Sequence, residues 1–108
     1  MIKINYNNNS LVLELLGKFE DGSPALQLTD AEYGDPYARL SFCAHDGLQI
    51  YPASQDCIWL KDWSENEDLA RFMVDEGYFQ WTGKQIPAGF VTYKEAIITE
   101  KTWRILEN

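Results

Sequence analysis

Cys43, His45, Asp46 and Cys57 are the residues of this 108-residue chain whose types could do chemistry together. Cys43 and His45 lie two apart, so on a strand they share a face, and a thiolate beside an imidazole is the start of a nucleophilic or a metal site. That spacing is unspecific. Free cysteine is among the most buried residue types and a histidine at an Asp-Gly turn is ordinary, which makes structural packing the default reading. Asp30 and Glu32, two apart at a strand end, invite a hydrolase reading. Glycosidase carboxylates, however, face each other across a cleft about 5 to 9 Å wide, and a small sheet with one helix offers little cleft. Neither Glu20-Asp21 nor the acids from Asp62 to Asp68 follow the calcium-loop pattern with its central Gly and terminal Glu. The sequence carries no Gly-rich phosphate loop, Cys-x-x-Cys, His-Glu-x-x-His or Gly-x-Ser-x-Gly motif. The expectation is therefore no catalytic residue, no metal and no cofactor.

Charge is the more informative property. Seventeen Asp and Glu stand against nine Lys and Arg, a formal net charge of −8 with a pI near 4.4. Thirteen of the acids but only three of the bases (Arg39, Lys61, Arg71) lie between Glu20 and Glu76, a net of −10, and the two ends together carry +2. This balance disfavours nucleic acid and anionic membranes, both gripped through Lys and Arg, and favours a basic protein partner. No apolar run reaches the ~18 residues a membrane helix needs, and the start lacks a signal-peptide layout. The expected compartment is the cytoplasm of a bacterial host cell, where both cysteines stay reduced.

The elements that must position these groups read as one α+β domain spanning 1–108, an antiparallel meander of about 5–7 strands with one helix at about 65–76. Ile2, Ile4 and Tyr6 alternate with Lys3 and Asn5, and Leu11, Leu13 and Leu15 alternate with Val12, Glu14 and Leu16, on either side of the polar turn Asn7-Asn8-Asn9. Asp21-Gly22 supplies a second turn before a strand at Ala25–Thr29, and Gly34-Asp35-Pro36 a third. Tyr37–Ala44 then sorts into Ala38, Leu40, Phe42 and Ala44 toward the core and Tyr37, Arg39, Ser41 and Cys43 away from it. After the His45-Asp46-Gly47 turn come short strands at Leu48–Tyr51 and Cys57–Leu60. Ser64-Glu65-Asn66-Glu67 reads as a capping box, followed by Leu69, Phe72 and Met73 at helical spacing, a Glu67/Arg71 pair, and Gly77 as the C-terminal cap. Tyr78–Gly89 reads as irregular, Phe90–Ile98 as a strand and Thr102–Leu106 as a last edge strand. Phe42, Trp59 and Phe72 are expected in the core. Trp63, Tyr78, Phe79 and Trp81 either cover the open side of the sheet or include an exposed anchor.

Ala25–Asp30, the run Gly34-Asp35-Pro36-Tyr37-Ala38-Arg39-Leu40-Ser41, the helix end Phe72–Gly77, Thr82-Gly83-Lys84 and Gly89-Phe90-Val91-Thr92-Tyr93 together resemble a family of small bacterial domains of unknown function, numbered 4313 in its series and often carried by mobile elements and phages. The resemblance covers roughly residues 10–98 and rests on turn and sheet residues; the chain departs from it at Cys57–Trp63, where an Asn-rich turn is usual. It implies a mobile-element setting, in which small acidic proteins often block host defence by occupying nucleic-acid channels. The resulting expectation is a non-enzymatic inhibitor of the anti-CRISPR kind, a nucleic-acid mimic whose partner is a host protein with a basic surface, such as a CRISPR effector. Its candidate contact residues are Asp30, Glu32, Asp35, Asp62, Glu65, Glu67 and Asp68, with Trp63 and Trp81 as anchors. The alternatives are an accessory protein-protein interaction domain without an inhibitory role and a small enzyme using Cys43 and His45.

Overall fold

Two consecutive asparagines start the fold. Asn7 and Asn8 both take the left-handed backbone (φ 51° and 66°) that a two-residue hairpin turn demands, so β1 (Ile4–Tyr6) folds back on β2 (Asn9–Lys18) with Ile4 opposite Leu11. The computed structural model describes residues 2–46 and 48–107. At the next turn the Asp21 carboxylate accepts from the Ser23 amide and hydroxyl (2.9 and 2.6 Å), which aims the chain into β3 (Pro24–Asp30) and then β4 (Pro36–Arg39). These four strands form the first sheet in the order β1-β2-β3-β4, all antiparallel.

The chain then changes sheets at one residue. Leu40 donates its amide to Leu26 of β3, while its carbonyl accepts from Lys61 beyond the second sheet (2.9 and 2.8 Å), so it is bonded toward both. Buried Ser41 fills the gap that opens, its hydroxyl accepting from the Leu26 amide and donating to the Pro24 carbonyl, both at 2.8 Å. Ser41→Ala strands both buried groups and is expected to cost about 1–3 kcal/mol of stability in urea denaturation. Beyond the crossing lie β5 (Ser41–Phe42), the small hairpin of β6 (Ala44–Asp46) and β7 (Gln49–Tyr51), β8 (Cys57–Leu60), the helix α1 (Glu67–Asp75), β9 (Phe79–Ala88), β10 (Val91–Ile98) and α2 (Glu100–Glu107). The second sheet runs β5-β8-β10-β9, again antiparallel.

One core joins the sheets. Leu11, Leu13, Leu26 and Leu28 meet Ile58, Leu60, Phe79, Ala96 and Ile98, closed by Leu69, Ala70 and Met73 of α1, with Trp103, Ile105 and Leu106 of α2 packed against them. The α+β class and antiparallel pairing agree with the sequence reading; the element count is larger. Ten strands and two helices stand among the described residues where five to seven strands and one helix were expected. The predicted strand 37–44 runs through three strands of three sheets, β4, β5 and the start of β6; Leu40 faces the core while Phe42 points to the second sheet's other face, against Trp63 and Tyr93. The segment read as irregular is the ten-residue β9, whose bulge around Gly83 (φ 92°) absorbs the glycine. The predicted edge strand 102–106 is instead α2. Its first turn is set by Thr99, whose carbonyl accepts from the Thr102 and Trp103 amides, and a Glu100–Arg104 ion pair (2.6 Å) spans its outer side.

The capping box at the front of α1 does not form. Ser64 takes a left-handed backbone (φ 58°) in a 3-10 turn, Ser64–Asn66, and α1 begins at Glu67 with no side-chain cap. A tertiary bond wins over the local one: the buried Asn66 side-chain amide donates to the Arg39 carbonyl at 2.7 Å, tying the helix start to β4. At the other end Gly77 (φ 82°) does cap the helix, with Tyr78 bonded back to Met73 and Gly77 to Val74, the two bonds of a Schellman motif.

The outer face of the second sheet holds a second packed layer. Trp59 is fully buried there beneath the Tyr51–Gln55 loop, its indole N–H donating to the Tyr51 carbonyl at 2.8 Å. Beside it Glu95, 3% exposed, accepts from the Ser54 amide and hydroxyl (2.9 and 3.1 Å) and faces the Lys84 ammonium at 3.7 Å. Burial opposes its ionisation, but these bonds outweigh burial and hold its pKa below the ordinary glutamate value. A depressed folded pKa adds stability that is complete above the unfolded value near 4.5 and is lost as pH falls through the folded one. The acid limb of a thermal-stability profile should therefore be less steep in Glu95→Gln than in the parent. Equal limbs in the two would contradict this assignment.

Candidate protein-binding face

The carboxylates singled out from the sequence lie on two neighbouring elements. Asp62, Glu65, Glu67 and Asp68 surround the start of α1, while Asp30, Glu32 and Asp35 belong to the turn between β3 and β4. Asp30 builds that turn, its carboxylate accepting from the Glu32 and Tyr33 amides (2.8 and 2.9 Å), which leaves Glu32 and Asp35 exposed on a fixed loop. A tyrosine pair links the two elements. Tyr6 lies edge-on to Tyr37 of β4 (ring centroids 6.5 Å) and packs on Phe72 of α1 (4.9 Å). Burial, then the charges of Asp68 and Tyr37, raise the Tyr6 pKa. Tyr37 and Tyr33 remain exposed.

The acids at the helix start each face a base. Lys61 meets Glu65 at 2.7 Å, Arg71 meets Glu67 and Asp68 at 3.8 and 3.6 Å, and Lys94 meets Asp62 at 3.1 Å. The hydrogen bond from Lys61 pulls the Glu65 pKa down to about 2, so Glu65 is ionised throughout the neutral range. The exposed pairs of Glu65, Glu67 and Asp68 add little to stability, so a partner's base can replace them, whereas the Asp62 side chain is largely covered. For Glu32 and Asp35 no ion pair is found among the described residues.

The two tryptophans separate. Trp63 is half-buried, stacked on Tyr93 (5.7 Å) and edge-on to Phe42 (5.0 Å), on the outer face of the second sheet. Trp81 is 36% exposed and walls a cleft of about 240 Å³ with Asp62, Glu67, Asp75, Arg71 and Lys94. Of the two, Trp81 alone shares this cleft with the acids.

The thiols stand apart from this face. Cys43 lies against the Glu20-Asp21 turn, and burial followed by the Asp21 charge raises its pKa. His45 instead lines a cleft beside Tyr93, and no hydrogen bond joins it to Cys43 among the described residues. Burial, with Glu95 and Asp56 behind it, pushes the buried Cys57 up to about 11. Both thiols are protonated at neutral pH, the opposite of an activated nucleophile. The Asp46 side chain and Gly47 lie outside the described residues. Among the described residues no three His, Cys, Asp or Glu side chains converge as a metal site, and no helix is long and apolar enough to cross a membrane.

Sequence reasoning missed the Tyr6–Tyr37 contact and the Asn66 tether. Only the outward placement of Tyr37 in the strand alternation hinted at the first. No family model, no curated protein and no solved structure matches the chain, so the family likeness noted above stands as a resemblance of turn and sheet residues.

Proposed function

We propose that this chain is a non-enzymatic binding protein that lays its acidic face on a basic surface of a host nucleic-acid-binding protein, as a phage or mobile-element inhibitor of host defence would. The observation that carries the reading is the placement of carboxylates at the start of α1 and at the β3–β4 turn, on two elements joined by the ring contacts of Tyr37, Tyr6 and Phe72. Negative charge positioned on rigid elements can substitute for phosphates spaced along a duplex, and exposed tyrosines are favoured at protein contacts. The reading includes a bacterial cytoplasmic setting, where such effectors work. An accessory interaction domain is the second reading, favoured by Lys61, Arg71 and Lys94 standing opposite the helix acids.

The test is capture from bacterial lysate on the immobilised chain, washed at low and high salt, with duplex DNA as competitor. The inhibitor reading requires nucleic-acid-binding proteins that are released both by salt and by DNA. Capture that DNA leaves untouched supports the accessory role instead.

A further inference from the structure

In the cleft that Trp81 walls, the charges do not balance. Three carboxylates, Asp62, Glu67 and Asp75, line it with two bases, Arg71 and Lys94. Lys94 is paired with Asp62 at 3.1 Å and Arg71 with Glu67 at 3.8 Å, which leaves Asp75 with no ion pair among the described residues. Arg71 stands one turn before Asp75, yet it reaches back along α1 to Glu67 and Asp68 rather than forward. Asp75 is also the last residue of α1, whose final turn holds no base, so its charge adds to the negative end of the helix dipole. The nearby Lys101 is engaged elsewhere, on the Glu76 carbonyl (2.7 Å) and over the Tyr78 ring (4.2 Å). The cleft is one positive charge short.

Its other side shows how it holds a cation. The Lys94 ammonium stands 5.8 Å from the centre of the Trp81 ring while paired with Asp62, an indole and a carboxylate on one charge. Trp81 remains 36% exposed, so part of the ring is open to a second cation, with Asp75 as its carboxylate. We infer that this cleft takes an arginine side chain of the partner protein, its guanidinium against the Trp81 indole and paired with Asp75. A volume of about 240 Å³ lies below the roughly 300 Å³ at which small-molecule pockets begin, and suits one side chain. Guanidinium is planar and weakly hydrated and lies well on an aromatic ring, whereas an ammonium holds its water more tightly. Proteins that grip phosphates do so largely through arginine and lysine, so the inference rests on the acidic-face reading for its occupant and names the side chain that enters.

The test uses the whole chain with tetra-arginine and tetra-lysine as probes, at low salt, followed by the Trp81 indole N–H and Asp75 amide resonances. Tetra-arginine should shift both signals to saturation and bind about fivefold or more tighter than tetra-lysine. Asp75→Asn should weaken tetra-arginine about threefold or more; the position is exposed and the change isosteric, so the fold is kept. Trp81→Ala should remove the preference for arginine over lysine. Tetra-arginine that shifts the Glu32, Asp35 and Glu65 amides and leaves the Trp81 indole unmoved overturns the inference. So does equal binding of the two peptides, or an Asp75→Asn variant that binds like the parent. Saturation at Trp81 by a chain that captures no nucleic-acid-binding protein from lysate upholds the arginine site and overturns the inhibitor reading instead.

Discussion

Replacing Trp59 with alanine is expected to lower stability by about 3–5 kcal/mol, the cost typical of deleting a buried aromatic side chain. The ring is fully buried, not in the main core but between the second sheet and the Tyr51–Gln55 loop. Its loss therefore has two consequences. It opens a void, and it leaves the Tyr51 carbonyl without its indole donor. Lys84, whose ammonium stands 5.5 Å from the centre of this ring, would then face water instead. Small domains hold only about 5–15 kcal/mol in all, so the variant should unfold at a much lower urea concentration with a similar dependence on denaturant. Trp59→Phe should restore part of the packing but not the hydrogen bond, and fall between the two. An alanine variant within about 1 kcal/mol of the parent would mean that the loop does not cover the ring.

The second large effect is on binding. Reversing Glu65, Glu67 and Asp68 to lysine changes the net charge from −8 to −2 and puts cations at the positive end of the α1 dipole. Affinity for a basic partner should fall by at least about 100-fold at low salt, since steering and contact are lost together. The same changes should lower stability only slightly, because the side chains are exposed and their ion pairs weak. Neutral Gln and Asn replacements should give an intermediate affinity with almost no loss of fold. Undiminished binding by the lysine variant would remove α1 from the contact.

Much of this architecture was legible where one local signal was not overruled. The inward placement of Leu11 and Leu13 in β2, the strands read at 25–29 and 57–60 and the Gly77 cap of α1 all appear as read. Elsewhere a contact distant in sequence decided the outcome. The capping box at Ser64 lost to a bond between Asn66 and Arg39, 27 residues away, and no spacing within the helix announces that. Gly83 and Pro87 read as breakers of β9, yet β9 is an edge strand, where a bulge and a missing amide are tolerated. The helical character of α2 was available in the Glu100–Arg104 pair, although its apolar residues also fit a strand. Composition located the acids, because charge is counted residue by residue. It could not reveal that Tyr6 and Tyr37, 31 positions apart, are in contact, nor that Glu95 is buried beneath a loop.

The most direct measurement is the affinity of the chain for a captured nucleic-acid-binding protein as salt is raised from about 50 to about 200 mM, with and without duplex DNA. An acidic face that stands in for nucleic acid predicts an affinity that falls steeply with salt and a complex that DNA displaces. Binding that neither salt nor DNA weakens would contradict it.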